Sequence, residues 1–419
     1  MLIEFNVTNF RSLRDRQTFS LAKAKGGELS ESNTFQVDAV TPFNLLRSAV
    51  IYGANAGGKS NLLFALSSMK GVVTESAKNL QRGDKLPVTP FRLSGMTRNA
   101  PSEFEVAFIV DKTRYQYGFS TTQERIHDEW LFAYPKGRPQ RWFERIWNEE
   151  LENYNWSFGS SFTGEKHLWQ KSTRDNALFL STAVQLNCEQ LQPIFDWFSE
   201  SLRIASTSIW SPGFSASLCR EGKKQEILEF LRAADLGIED IVIDKKLVDS
   251  SMLPDDMPES VVEELTGKEI FDIKTMHKDA EGRDEFFEYD DESDGTQKMF
   301  ALAGPWVEVL ENGCVLFVDE LHDNLHLCLV QFLVQLFHSA ETNPKNAQLV
   351  FTTHETSILT QEIFRRDQVW FCERDKNHAT TVYPLTDFSP RKGRENLELA
   401  YLSGRYGALP YVRPLRAHG

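Results

Sequence analysis

Short alternating runs open the chain. Residues 2–10 and 17–22 place apolar side chains at every second position, the period of a half-buried strand, with a polar turn between them. Ala49-Val50-Ile51-Tyr52 is apolar throughout, which predicts a strand buried on both faces. A Gly-rich turn follows it, and then NLLFALSSMKGVV, whose apolar residues recur at helical spacing. Residues 103–158 read as successive antiparallel strands, EFEVAFIV, RYQYGFS, RIHDEWLFAYP and RWFERIW, each bounded by Asp, Gly, Pro or Lys. Residues 172–200 are expected to be helical.

From 201 to 283 the pattern loosens. KKQEILEFLRAADLG is an amphipathic helix stopped by Gly237, IEDIVIDKKLV and KEIFDIKTMHK read as strands, and the acidic, Pro-containing DSSMLPDDMPES between them reads as mobile. Regular periodicity then resumes, predicting a helix at 294–311, a strand at 314–318, a helix at 324–340 and a strand at 348–353. The expected fold is α/β. Its domains are an N-terminal half over 1–200 with an antiparallel β-subdomain, an inserted α+β lobe over 201–283, a C-terminal half over 284–385 and a basic tail over 386–419.

Composition changes this picture little. An apolar share of 41% is ordinary for a globular chain, and no run approaches the length of a membrane span. Cys188, Cys219, Cys314, Cys328 and Cys372 are scattered, an odd number without a CxxC pair, which reads as reduced thiols in cytoplasm. The net charge of −14 argues against wholesale coating of nucleic acid, so nucleic-acid contact would need a local basic patch. One candidate is the tail, with Arg391, Lys392, Arg394, Arg405, Arg413 and Arg416; a solvated face would look the same.

The candidate chemistry starts at Gly53-Ala54-Asn55-Ala56-Gly57-Gly58-Lys59-Ser60, a GxxxxGK[ST] loop between a β-branched strand and a helix that continues with Asn61. Such a loop turns backbone N–H groups toward phosphates at a helix N-terminus. Lys59 is placed to reach the β- and γ-phosphates of ATP, and the Ser60 hydroxyl to ligate Mg²⁺. Val315-Leu316-Phe317-Val318-Asp319-Glu320 is a buried strand with carboxylates at its C-terminal end, where parallel sheets hold ligands. There Asp319 would hold the Mg²⁺ shell and Glu320 would orient or deprotonate water.

Glu292-Ser293-Asp294-Gly295-Thr296-Gln297-Lys298 opens a helix. Ser293 and Gly295 could form a second anion-binding surface, used on the ATP of another copy; an ordinary N-cap would have the same sequence. His354, ending Leu349-Val350-Phe351-Thr352-Thr353, could sense the γ-phosphate, although a His at a strand end is also a common structural residue. His322-Asp323-Asn324-Leu325-His326 resembles the HExxH zinc motif with Asp for Glu, if it is helical.

These elements in this order resemble the ABC-type heads of SMC-like and DNA-repair ATPases. TNFRSLRD at 8–15 is similar to their N-terminal NFRS segment, ESDGTQK to the signature, ELHDNLH to the D-loop and TTHE to the histidine switch. The signature departs from LSGGQ at its first position and at Asp294. No Q-loop glutamine stands out, with Gln116 and Gln185 as candidates. NALFLSTAVQLN, AYPKGRPQR at 133–141 and YLSGRYGALP at 401–410 further resemble the RloA or AbiL-like ATPases, relatives of the OLD and PARIS phage-defence proteins.

The resemblance implies an ABC-type P-loop NTPase head that hydrolyses ATP at a head-to-tail homodimer interface or in a larger homo-oligomer. It also implies a sensing role in phage defence beside a separately encoded nuclease or toxin-like effector. The OLD proteins carry a TOPRIM nuclease domain after the head, whereas only a short segment follows His354 here. The rival expectation is a DNA-engaging repair ATPase.

Overall fold

Strand Ser48–Tyr52, buried at every position, lies inside a six-stranded sheet of the computed structural model. Its neighbours are Gln348–Thr352 on one side and Val369–Arg374 on the other, both parallel to it. Val315–Asp319 pairs in parallel beyond Gln348–Thr352, and Leu202–Ser206 and Thr380–Pro384 close the two edges. These strands are apolar on both faces because helices and a second sheet cover them, the condition under which continuous Val/Ile/Leu/Phe runs are stable. The structure describes residues 1–38, 42–206, 211–249, 257–258, 261–262, 266–267 and 269–410.

The second sheet has seven strands, all antiparallel where register is defined. Leu2–Thr8 sits between Gln17–Ser20 and Ser102–Val110, and Thr113–Thr121, Ile126–Tyr134, Gln140–Asn148 and Asn153–Phe158 follow in order. The expected strand series over 103–158 is therefore present, with Asn153–Phe158 as a member that its polar residues hid. One apolar cluster joins the two sheets and helix Lys59–Glu75, from Phe5 and Phe19 to Met69, Phe108, Trp197, Phe317 and Val350. The expected helical stretch at 172–200 is a chain of short helices, with Phe179–Gln185 and Gln192–Asp196 broken at Asn187 by a left-handed backbone.

The chain forms two compact units. The first comprises Met1–Ala205, Asn312–Leu321 and Val334–Gly419, and holds both sheets just described. Its C-terminal helix Leu397–Leu402 brings Tyr401 into the core, where Tyr401 and Tyr406 pack on Phe371. The second comprises Ser206–Glu311 and His322–Leu333.

In the second unit helix Lys224–Ala233 buries Ile227, Leu228, Phe230 and Leu231. The two expected strands are present as Asp240–Leu247 and Glu269–Lys278, which pair antiparallel, and Asp284–Glu288, exposed along its length, adds a third that alternation did not reveal. Most of the acidic stretch DSSMLPDDMPES lies outside the described residues, as do Arg413 and Arg416. Long helix Asp294–Asn312 also belongs to this unit. The next helix starts at Leu327 rather than 324; residues 321–324 are turn, so His322 and His326 do not share a helical face. No described helix is long and apolar enough to cross a membrane.

Candidate functional site

Parallel pairing carries three motif-bearing strands to one sheet edge. Ile51 lies opposite Thr352 and Val318 opposite Phe351, so the chain leaves each strand at the same level into the phosphate loop, the carboxylates and His354. A cleft of about 410 Å³ opens there, lined by Ser12, residues 54–61, Glu320, His354 and Arg374. Lys59, Ser60, Asp319, Glu320 and His354, distant in sequence, are thus gathered at one end of the sheet.

The loop follows a narrow path. A Cβ on Gly53 would come within 2.4 Å of the Cys372 carbonyl oxygen, which bars any larger residue. Gly58 has φ +104° and sits against Thr380, whose Oγ1 would lie 2.2 Å from an added Cβ. Glycine is required there by both backbone and space. Thr380 Oγ1 donates to the Gly57 carbonyl, so strand Thr380–Pro384 supports the loop from below.

Helix Lys59–Glu75 begins directly after Gly58 without a side-chain cap, which leaves its first N–H groups directed at the cleft. The Lys59 ammonium is buried and donates to the Gly53 carbonyl at 2.9 Å and to His354 Nε2 at 3.0 Å. Burial lowers its pKa from the ordinary lysine value, against the opposing pull of Cys372, Asp319 and Glu320. A phosphate beside this partly desolvated cation would favour its charged form.

Thr352 organises the carboxylates. Its hydroxyl donates to Asp319 Oδ1 at 2.6 Å and accepts the Glu320 backbone N–H at 2.8 Å. Glu320 itself has φ +55°, a left-handed backbone uncommon for a non-glycine residue and a form of strain that gathers at functional sites. The turn sends its carboxylate into the cleft, about half exposed, with Oε1 3.8 Å from His354 Nε2. Ser60 and Asp319 together offer a hydroxyl and a carboxylate, the hard oxygen donors that Mg²⁺ takes. Among the described residues no cluster of three or more His, Cys, Asp or Glu is arranged to hold a metal.

Several residues of the site carried no sequence signal. Ser12 Oγ accepts from Asn61 Nδ2 at 2.7 Å and is hydrogen-bonded to Thr380 Oγ1 at 2.8 Å, tying the N-terminal segment to the start of the phosphate-loop helix. The NFRS resemblance pointed to this segment without assigning Ser12 a contact. Arg374 comes from the strand beside the loop. Gln116 is engaged in the antiparallel sheet with Glu105 and Tyr134, and neither it nor Gln185 lines the cleft.

Ser293 and Gly295 stand in the second unit at the start of helix Asp294–Asn312. Ser293 Oγ accepts from Thr296 N at 3.2 Å, the hydrogen bond of an N-cap, while the residue stays exposed.

The family described as "AAA domain, putative AbiEii toxin, Type IV TA system" matches residues 48–360, well over half of the chain. No curated protein matches the sequence. Solved structures similar to it include the SMC head domain from Thermotoga maritima, with 13% identity, a TM-score of 0.40, and coverage of 91% of this chain and 98% of that one. Another is the Smc head domain with an extended coiled coil, bound to the C-terminal domain of ScpA, derived from Pyrococcus furiosus. It shows 12% identity, a TM-score of 0.42, and coverage of 92% and 96%. The recombination mediator protein RecF shows 13% identity, a TM-score of 0.31, and coverage of 91% and 98%.

Proposed function

We propose that this chain, which belongs to the AAA-domain family described as a putative AbiEii toxin of a type IV TA system, works as an ATP-hydrolysing switch. The observation that carries the reading is the convergence of Lys59, Ser60, Glu320 and His354 on one cleft at the C-terminal edge of three parallel strands, with Asp319 ending the strand beside it. The loop from Gly53 to Asn61 cradles the phosphates, and Lys59 neutralises the terminal ones. Ser60 and Asp319 would hold Mg²⁺, which when bound would supply positive charge beside the phosphate oxygens. Glu320 orients or deprotonates the attacking water, and His354 senses the γ-phosphate. Ser293 and Gly295 of a second copy close over the nucleotide, so that the site is completed in a head-to-tail homodimer.

Hydrolysis would separate the copies or reorganise a larger homo-oligomer. In an RloA or AbiL-like setting that change gates a separately encoded nuclease or toxin-like effector during phage infection. The family description and the motif resemblance support this part of the reading.

Glu320→Gln keeps the side chain's size and shape but removes its charge and its capacity to take a proton from water. The expected result is ATP affinity near wild type, turnover lower by roughly 10²–10⁴-fold, and an ATP-bound dimer that persists in size-exclusion chromatography. Turnover unchanged in this variant would sink the assignment.

A further inference from the structure

Beside the phosphate cleft lies a second one, of about 420 Å³, which shares Ser12, Asn61 and Arg374 with it. Arg11, Arg92 and Arg374 line this second cleft together with His378, and its walls contain no carboxylate. A third cleft, of about 450 Å³, shares Pro90 and Arg92 with the second and adds Arg98, with Glu124 as its one acidic wall residue. Cations in the segment between Leu2–Thr8 and Gln17–Ser20 are neutralised, Arg14 by Asp15 and Arg16 by Glu103 and Glu105. Among the described residues no carboxylate lies within ion-pair distance of Arg11, Arg92, Arg98 or Arg374, and all four are exposed. In a chain of net charge −14 this is a concentrated departure from the average.

The arginines stand on a fixed support. Asn9, buried and in a left-handed backbone, donates from Nδ2 to the carbonyls of Thr97, Ala100 and Pro101, and its Oδ1 accepts the Phe91 N–H. Arg11 N donates to the Thr89 carbonyl, so the NFRS segment and the loop 89–101 form one piece. The Arg11 guanidinium lies over the Phe64 ring at 4.3 Å, which orients its plane and leaves its N–H edges to solvent. Arg98 is held by a hydrogen bond to the Arg92 carbonyl. Between Arg92 and Arg98 the loop exposes Leu93 at 63% and Met96 at 91%, apolar side chains with nothing to cover them in a monomer.

We propose that Arg11, Arg92 and Arg98 bind the phosphate backbone of a nucleic-acid strand that runs along loop 89–101 from the mouth of the nucleotide cleft. Planar guanidiniums suit phosphate oxygens in paired hydrogen bonds. A mononucleotide would fill one of these clefts, whereas a polymer with phosphates at regular intervals and apolar sugar surface between them matches arginines spread over both, with Leu93 and Met96 intervening. The basic tail is the weaker candidate, because Lys392 pairs with Glu28 and Arg405 with Glu395. Contacts of this kind position a strand without reading its sequence.

The test is fluorescence anisotropy of a short mixed-sequence DNA duplex and of its single strand, titrated with the full chain at several salt concentrations without ATP. This binding is measured apart from hydrolysis, so it can fail while the ATPase reading stands, and the converse also holds. The variant Arg11→Gln/Arg92→Gln/Arg98→Gln is compared with wild type, with ATP affinity as the check on folding. Expected are salt-dependent binding by wild type, at least about a tenfold loss in the variant, and a log–log salt slope shallower by roughly 2–3. Three outcomes overturn the proposal: no binding by wild type, equal affinity and slope in the variant, or poly-glutamate bound as tightly as DNA. The last of these would assign the surface to an acidic protein segment.

Discussion

Thr352 holds two functional groups with a single oxygen. Replacing it with valine keeps the shape but removes the hydroxyl that bonds both Asp319 Oδ1 and the Glu320 N–H. A lost hydrogen bond of this kind costs about 0.5–1.5 kcal/mol, and here the loss falls on a residue already held at positive φ. Thr352→Val is therefore expected to lower kcat by about tenfold or more while ATP affinity stays within a few-fold of wild type, read by steady-state turnover beside equilibrium nucleotide binding. Lys59, Asp319 and Glu320 were legible because their chemistry is tied to a local string. Thr352, Ser12 and Thr380 were not, since hydroxyls become meaningful only when strands far apart in sequence are placed side by side. Gly58 was legible as a loop glycine, but the hydroxyl that excludes a side chain there comes from residue 380.

Helix Asp294–Asn312 shows the same contrast at the next scale. Its period was plain enough to predict, although Pro305 lies within it and removes the N–H that would bond the Ala301 carbonyl. The repair comes from another segment. Ser215 Oγ donates to the Phe300 carbonyl at 2.6 Å, approaches that of Ala301 at 3.3 Å, and accepts the Gly304 N–H at 2.9 Å. Gly304 allows this approach, since a Cβ there would meet Ser215 at 2.8 Å. Ser215→Ala should cost about 1–3 kcal/mol, measured by urea denaturation, with an unchanged m-value. Strand Asp284–Glu288 escaped prediction for a different reason: an exposed edge strand has no buried face to impose alternation.

For the whole molecule the strongest consequence of the proposed reading is that no single chain is sufficient. Lys59→Ala chains and Ser293→Arg chains should each be inactive alone. Mixed together they should recover part of the wild-type turnover, since half of the sites in a mixed dimer pair an intact Lys59 with an intact Ser293. Absence of recovery in a mixture shown to exchange subunits would mean that each chain works alone. Sequence motifs proposed both surfaces, but the division between units follows from contacts that no motif encodes, and helix Asp294–Asn312 groups with the smaller unit.

The neighbours of strand Ser48–Tyr52 also set an order of assembly on the ribosome. The antiparallel sheet draws all its strands from residues 2–158, so it can form while later parts of the chain are still being made. The phosphate-loop strand must wait for Gln348–Thr352 and Val369–Arg374 before it has a partner on either side. A nascent chain therefore carries the GANAGGKS loop from early on, and residues 348–374 must be made before the strand that leads into it is paired on both sides. A product cut short before residue 369 lacks the strand that flanks Ser48–Tyr52 on that side, and with it the Cys372 carbonyl and Thr380 hydroxyl that confine the loop.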